Sequence, residues 1–109
     1  MAVNKNLNII EDDSQLIEIT VNQDGLPFDF SDYATTFQMR NQSNELIVEK
    51  SSSSGITITD NVILLSLNFH DTNQAGVYNY ELQTTNESEK KRFTLVNGII
   101  TISKQINYK

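Results

Sequence analysis

Apolar residues in this chain recur at every second position, and nowhere do they keep helical spacing over three turns. The clearest case is Gly76-Val77-Tyr78-Asn79-Tyr80-Glu81-Leu82, where Tyr78, Tyr80 and Leu82 fall on one face of an extended strand. The same alternation sets Ile17, Ile19 and Val21 against Glu18, Thr20 and Asn22, and Thr35, Phe37 and Met39 against Thr36, Gln38 and Arg40. Roughly eight or nine such strands, spaced about 8–12 residues apart between turn signals, predict an all-β antiparallel sandwich and disfavour an α/β fold.

Turn chemistry divides the chain further. Residues 1–6 read as an N-terminal tail, and Leu7-Asn8-Ile9-Ile10 as the first strand, closed by the acidic turn Glu11-Asp12-Asp13-Ser14. Asp24-Gly25 predicts a hairpin, since both residues accept positive φ at little cost. Pro27 cannot donate to a ladder, so residues 26–30 are expected at a sheet edge, with Phe28 and Phe30 capping one end of the core. Residues 45–50 alternate weakly between charges and read as an edge strand, followed by a flexible loop, Ser51 to Gly55. A hairpin about Asp60-Asn61 places Ile63, Leu65, Leu67 and Phe69 in the core and leaves Val62 and Leu64 on a partly covered outer surface.

Between His70 and Gln74 the chain is expected to cross over the top through an irregular or helical turn capped by Asp71 or Thr72. Thr84 to Glu89 reads as a polar hairpin loop. At Asn97-Gly98 the alternation slips by one residue, which predicts a bulge or bend at Gly98 where the terminal strand changes sheets. The sandwich is thus expected over residues 7–103, with a C-terminal tail over 104–109 that carries Ile106 and Tyr108.

A chain of 109 residues suits one domain. Its net charge of −6 argues against a nucleic-acid surface, and the basic run Lys90-Lys91-Arg92 follows Glu87-Ser88-Glu89 as a mixed-charge hairpin tip. Without cysteine there is neither a disulfide framework nor a thiolate metal site. The first residues lack the apolar run of a secretory signal and no later run approaches a membrane span, so the expectation is a protein made in a cytoplasm.

Candidate chemistry is sparse. His70, the only histidine, stands beside Asp71 with no serine in a nucleophile setting, and reads as a solvent-facing loop residue. Glu11-Asp12-Asp13 and the pair Asp29 and Asp32 offer oxygens for calcium but lack EF-hand spacing, and read as ordinary acidic turns. No catalytic residues, cofactor or metal site are expected, and therefore no enzyme. With no tryptophan, Tyr33 and Tyr108 remain as surface rings for a sugar platform.

With the strands placed, the chain resembles the immunoglobulin-like domains of tailed-phage virion proteins. It is similar to the N-terminal domain of phage baseplate upper proteins and to head-fibre and capsid-decoration domains. The resemblance spans Leu7 to Ile102. It is carried by Asp24-Gly25-x-Pro27-Phe28-Asp29-Phe30, by Ile58-Thr59-Asp60-Asn61, by Asp71-Thr72 leading into Ala75 to Leu82, and by Thr94 to Ile102. It implies that Gly76-x-Tyr78 is a tyrosine corner, in which the hydroxyl bonds back to backbone a few residues upstream, and that Tyr80 stands where antibody domains carry a cysteine. Gly76, Tyr78, Tyr80 and Gly98 are then the structural residues.

The resemblance also implies a virion location, many copies per particle or a homo-oligomer, and docking on shell, fibre or tail proteins. Larger relatives continue into a linker and receptor-binding region, and this chain stops at Lys109, which favours a single-domain decoration or connector protein. The docking residues expected are Ile106, Tyr108, Val62 and Leu64, with no nucleic-acid or membrane partner. A carbohydrate-binding module for a bacterial surface is the alternative.

Overall fold

The computed structural model describes residues 3–68 and 71–104. In chain order the strands are β1 (Val3–Asn4), β2 (Leu7–Ile10), β3 (Gln15–Thr20), β4 (Asn22–Gln23), β5 (Leu26–Pro27), β6 (Ala34–Arg40), β7 (Leu46–Ser51), β8 (Ile56–Thr59), β9 (Val62–Leu67), β10 (Gly76–Asn86) and β11 (Lys91–Ser103). No helix occurs among the described residues.

Two sheets face each other. The larger runs β1-β11-β10-β6-β7, with β2 also on β11, and the smaller runs β3-β9-β8. A third pairing, β4 with β5, is a short hairpin whose Asp24 and Gly25 take φ of 55° and 80°, as the turn chemistry predicts. The alternation read from the sequence decides which side chains meet. Phe37, Met39, Tyr80, Leu82 and Ile100 from the larger sheet pack with Ile63, Leu65 and Leu67 from the smaller in one apolar cluster. Phe28 and Phe30 close one end, in edge-to-face contact at 4.7 Å between ring centroids. Polar groups drawn inside are matched, since Thr35 and Thr84 bond hydroxyl to hydroxyl at 3.0 Å. Among the described residues no buried side-chain nitrogen or oxygen lacks a partner.

Several expectations change. The sandwich is not wholly antiparallel, because β1 and β2 both pair parallel with β11. The chain also joins the sheet at Val3, four residues ahead of the expected start at Leu7. The two strands approach β11 in succession and are interrupted at Lys5 and Asn6, so a short polar stretch broke what sequence periodicity needs to detect a strand. The loop Ser51–Gly55 is held in place: Ser52 N–H donates to Thr35 O at 3.0 Å, its hydroxyl accepts from Thr35 N–H at 2.9 Å, and Gly55 O accepts from Ser66 N–H at 2.9 Å. The described part of the crossover, from Asp71, is irregular and not helical, one of the two forms expected; Asp71 and Asn68 exchange hydrogen bonds and the Thr72 hydroxyl donates to Asp13 O at 2.8 Å.

The polar loop expected from Thr84 begins only after Asn86. Thr84 is fully buried by its pairing with Thr35, and Asn86 accepts from Ser88 and from the Glu89 N–H to build the turn. Most instructive is Gly98, where no change of sheet occurs. β11 stays on β10 throughout, and the slip in register lies at Leu82/Gln83, which pair with Val96 and Thr94 and leave Leu95 as the extra residue. Leu95 and Val96 are consecutive and both buried, which is what a bulge does to the inside-outside phase.

Candidate functional site

The tyrosine strand builds two linked clasps. The Tyr78 hydroxyl donates to Gln74 O, four residues upstream, at 2.7 Å. Gly76 between them has φ of 156°, and a β-carbon there would only touch the Tyr78 ring, so its backbone angle and not crowding calls for glycine. One alternation further on, the Tyr80 hydroxyl donates to Lys5 O at 2.6 Å. That carbonyl lies over Gly98, where a β-carbon would collide with the Lys5 backbone, whose carbonyl carbon would be 2.8 Å away. Lys5 N–H donates to Asn97 O at 2.8 Å, and the Asn6 side chain accepts from Ile99 N–H at 3.0 Å. Gly98 is therefore the gap that lets the Lys5 backbone lie close against β11 as the N-terminal segment runs beside it. Burial pushes both tyrosine pKa values up, with the Glu11 charge adding to the shift at Tyr78.

Beside this junction the two sheets part. Between β3 and the β1–β2 segment lies a cavity of about 290 Å³, floored by Phe37, Leu65, Tyr80 and Leu82, with Ile17 and Ile19 on one wall. Ile17 and Ile19, on that wall, are only half-buried. Large apolar side chains also reach solvent: Leu16 at 69% exposure on β3, Leu26 at 68% in the small hairpin, and Leu46 and Ile47 on β7. Sequence reading passes over Leu16 because its neighbour Ile17 takes the core; an apolar residue out of phase with its strand is the available signal.

The residues singled out from sequence separate into groups. Val62 and Leu64 lie half-buried on the outer face of the smaller sheet, each on the central strand between β3 and β8 and flanked by Thr20 and Thr59, or by Glu18 and Thr57. Ile106 and Tyr108, together with Phe69 and His70, fall outside the described residues. Tyr33 is not a free surface ring: it packs on Phe28 and Phe93 at 5.2 and 6.2 Å. Lys90 to Arg92 occupy a hairpin tip, with Lys91 paired to Glu89 at 3.2 Å across exposed side chains.

Two of the acidic side chains accept from backbone N–H groups. Asp29 accepts from Ser31 N–H at 2.9 Å, which lowers its pKa. Glu11 accepts from Ala75 N–H at 3.3 Å, and Asp12 N–H donates to Thr72 O at 2.9 Å. Among the described residues no three carboxylate, histidine or cysteine side chains gather where they could hold a metal.

On the outer face of the larger sheet, Gln38 donates to Glu49 at 2.9 Å and accepts from Arg40 at 3.4 Å, while Gln83 donates to Glu81 at 2.7 Å. The result is a flat polar field bounded by the exposed Val77 and Ile99. The surface offers an apolar slot, free strand margins and a hydrogen-bonding face. No protein-family model matches the chain, and no curated protein matches it by sequence.

Proposed function

We propose that this protein is a non-enzymatic structural component of a tailed-phage virion, an immunoglobulin-like sandwich of the capsid-decoration, head-fibre or connector kind. In this reading it is made in the host cytoplasm and docks in many copies on other virion proteins. The observation that carries it is the bond from Tyr78 to Gln74 O at the start of β10, with a second inward aromatic two residues on. A tyrosine in that place and bond marks the corner before strand F of immunoglobulin-like domains.

The order of strands supports the same assignment. With β10 as strand F, β11, β6 and β7 correspond to G, C and C′, and β3, β9 and β8 correspond to B, E and D. Leu16, Leu26, Leu46 and Ile47 face solvent and are available for apolar contact. Val62 and Leu64 on the sheet face, and Ile106 and Tyr108 in the terminal segment, are the proposed contacts. Repetition on a particle lets each contact be weak, because avidity multiplies them.

The test is whether the native protein co-sediments with purified virions at a fixed copy number relative to the shell protein; its absence from particles would refute the reading. Removal of residues 104–109 is expected to leave Tm nearly unchanged while abolishing incorporation. The carbohydrate-binding alternative draws on the polar field of Gln38, Arg40, Glu49, Glu81 and Gln83, groups that suit sugar hydroxyls. Saturable binding on a glycan array would favour it.

A further inference from the structure

The two-residue repeat of hydrogen bonds fixes where the backbone of β3 points. Val21 N–H donates to Asn61 O at 2.9 Å, continuing the register in which Ile19 faces Ile63, Ile17 faces Leu65 and Gln15 faces Leu67. Ser66 N–H donates to Gly55 O, so that residue turns towards β8 and away from β3. In an antiparallel pair the bonded residues alternate with unbonded ones. Gln15, Ile17 and Ile19 therefore spend their N–H and C=O groups on β9, and Leu16, Glu18 and Thr20 turn theirs outward. Among the described residues β3 has β9 as its only strand neighbour. Directly beneath this free margin opens the 290 Å³ apolar cavity, walled by Ile17 and Ile19.

The β7 and β8 margins are guarded differently. β7 carries Glu49 and Lys50 and is bulged where Met39 and Arg40 pair with Val48 and Leu46, leaving Ile47 extra. β8 is four residues long. Charges, bulges and short length are the devices by which sheets resist added strands. β3 is six residues long, unbroken in register and carries one charge, Glu18.

We propose that the free margin of β3 together with the adjoining cavity is a strand-addition site for an extended segment of a different polypeptide. The occupant's backbone pairs with Leu16, Glu18 and Thr20, its alternate side chains are apolar and enter the cavity, and a Lys or Arg between them lies opposite Glu18. The margin itself selects this occupant. Donors and acceptors repeating every two residues are matched by an extended peptide backbone, and the apolar cavity takes the side chains that such a strand points inward. An opposite charge across from Glu18 is favoured both by the pair and by the net charge of −6. This deepens the docking reading by naming where a partner binds, and rests on it only for the partner being a protein.

The probe is a capped decapeptide alternating valine with lysine and threonine, added to the intact chain and followed by amide hydrogen exchange in NMR. The expected result is new protection at Leu16, Glu18 and Thr20, with micromolar affinity. Glu18→Pro and, separately, Thr20→Pro each remove an outward N–H without touching a bond to β9, and proline is tolerated at such positions. Each is expected to keep the wild-type Tm within a few degrees and raise Kd at least tenfold. Protection on β7 or β8 instead, unchanged affinity in both proline variants, or no binding at millimolar peptide would overturn the site. So would self-association of the protein through β3, or displacement of the peptide by dodecanoate binding equally to wild type and Glu18→Pro. Co-sedimentation with virions is a separate measurement, so peptide binding without virion association, or the reverse, separates failure of one reading from failure of the other.

Discussion

The two long seams of this sandwich are finished in opposite ways. Where β7 faces β8, the chain itself passes from one sheet to the other through Ser51–Gly55. The Lys50 stem lies so close over Gly55 that a β-carbon there would meet it at 2.6 Å. The Lys50 ammonium reaches Asp71 at 2.9 Å, with both side chains about 85% covered (16% and 15% exposed), and Val48 and Ile56 are buried behind it. Where β3 faces β1 and β2, Ile17 and Ile19 look into an open cavity. The N-terminal segment on that side is nevertheless pinned hard, by Tyr80 and Gly98. Order at the open seam therefore comes from backbone bonds at its rim, and order at the closed seam from filled volume.

The comparison can be broken at several points. The largest effect is expected from Gly98→Ala, which drives a methyl into the Lys5 backbone: about 3 kcal/mol or more of lost stability in urea unfolding, with β1 released from β11. A loss below about 1 kcal/mol would mean the N-terminal strand is not held there. Next, Ile56→Ala at the closed seam is expected to cost about 2–4 kcal/mol, and Ile19→Ala at the open seam only about 1 kcal/mol, because water already reaches that wall. Equal costs would erase the distinction between seams.

Tyr78→Phe and Tyr80→Phe are each expected to cost about 1–3 kcal/mol by leaving Gln74 O and Lys5 O without their donors. A cost near zero at Tyr78 would show that the corner bond holds nothing. Both hydroxyls titrate above the usual tyrosine value when folded. Their contribution is complete below pH about 10, the value in the unfolded chain, and is lost as pH rises through the raised folded values. Urea midpoints measured between pH 8 and 11 should fall above pH about 10, and fall less in the double Phe variant. The smallest effect is expected from Ile19→Phe, which extends into the open cavity and should leave Tm unchanged or slightly higher. Val48→Phe at the packed seam should lower it by several degrees.

Much of this was legible in the sequence where a residue's neighbours are its own strand. The inward faces of β6, β9 and β10 follow from period two, and the Asp24-Gly25 turn from its residue types. Tyr78 bonding back to Gln74 was legible through the resemblance. What was misread depended on distant chain. Gly98 looks like a bend, since nothing local tells that the carbonyl of Lys5, more than ninety residues away, must pass over it. Thr84 and Asn86 look like loop residues until Thr35 and the turn at Ser88 supply their hydrogen-bond partners. The bulge sits at Leu95 because two adjacent residues both face the core, a choice made by β10 and invisible in Leu95 and Val96 alone. The open seam had one faint sign, Leu16, an apolar residue on the polar side of its strand.

Native-state hydrogen exchange along β3 tests the open seam most directly. Slow exchange is expected at the amides of Ile17, Ile19 and Val21, which donate into the sheet, and fast exchange at those of Leu16, Glu18 and Thr20, which face solvent. Uniform protection at all six would contradict it, since β3 would then be paired on both sides and the seam would be closed.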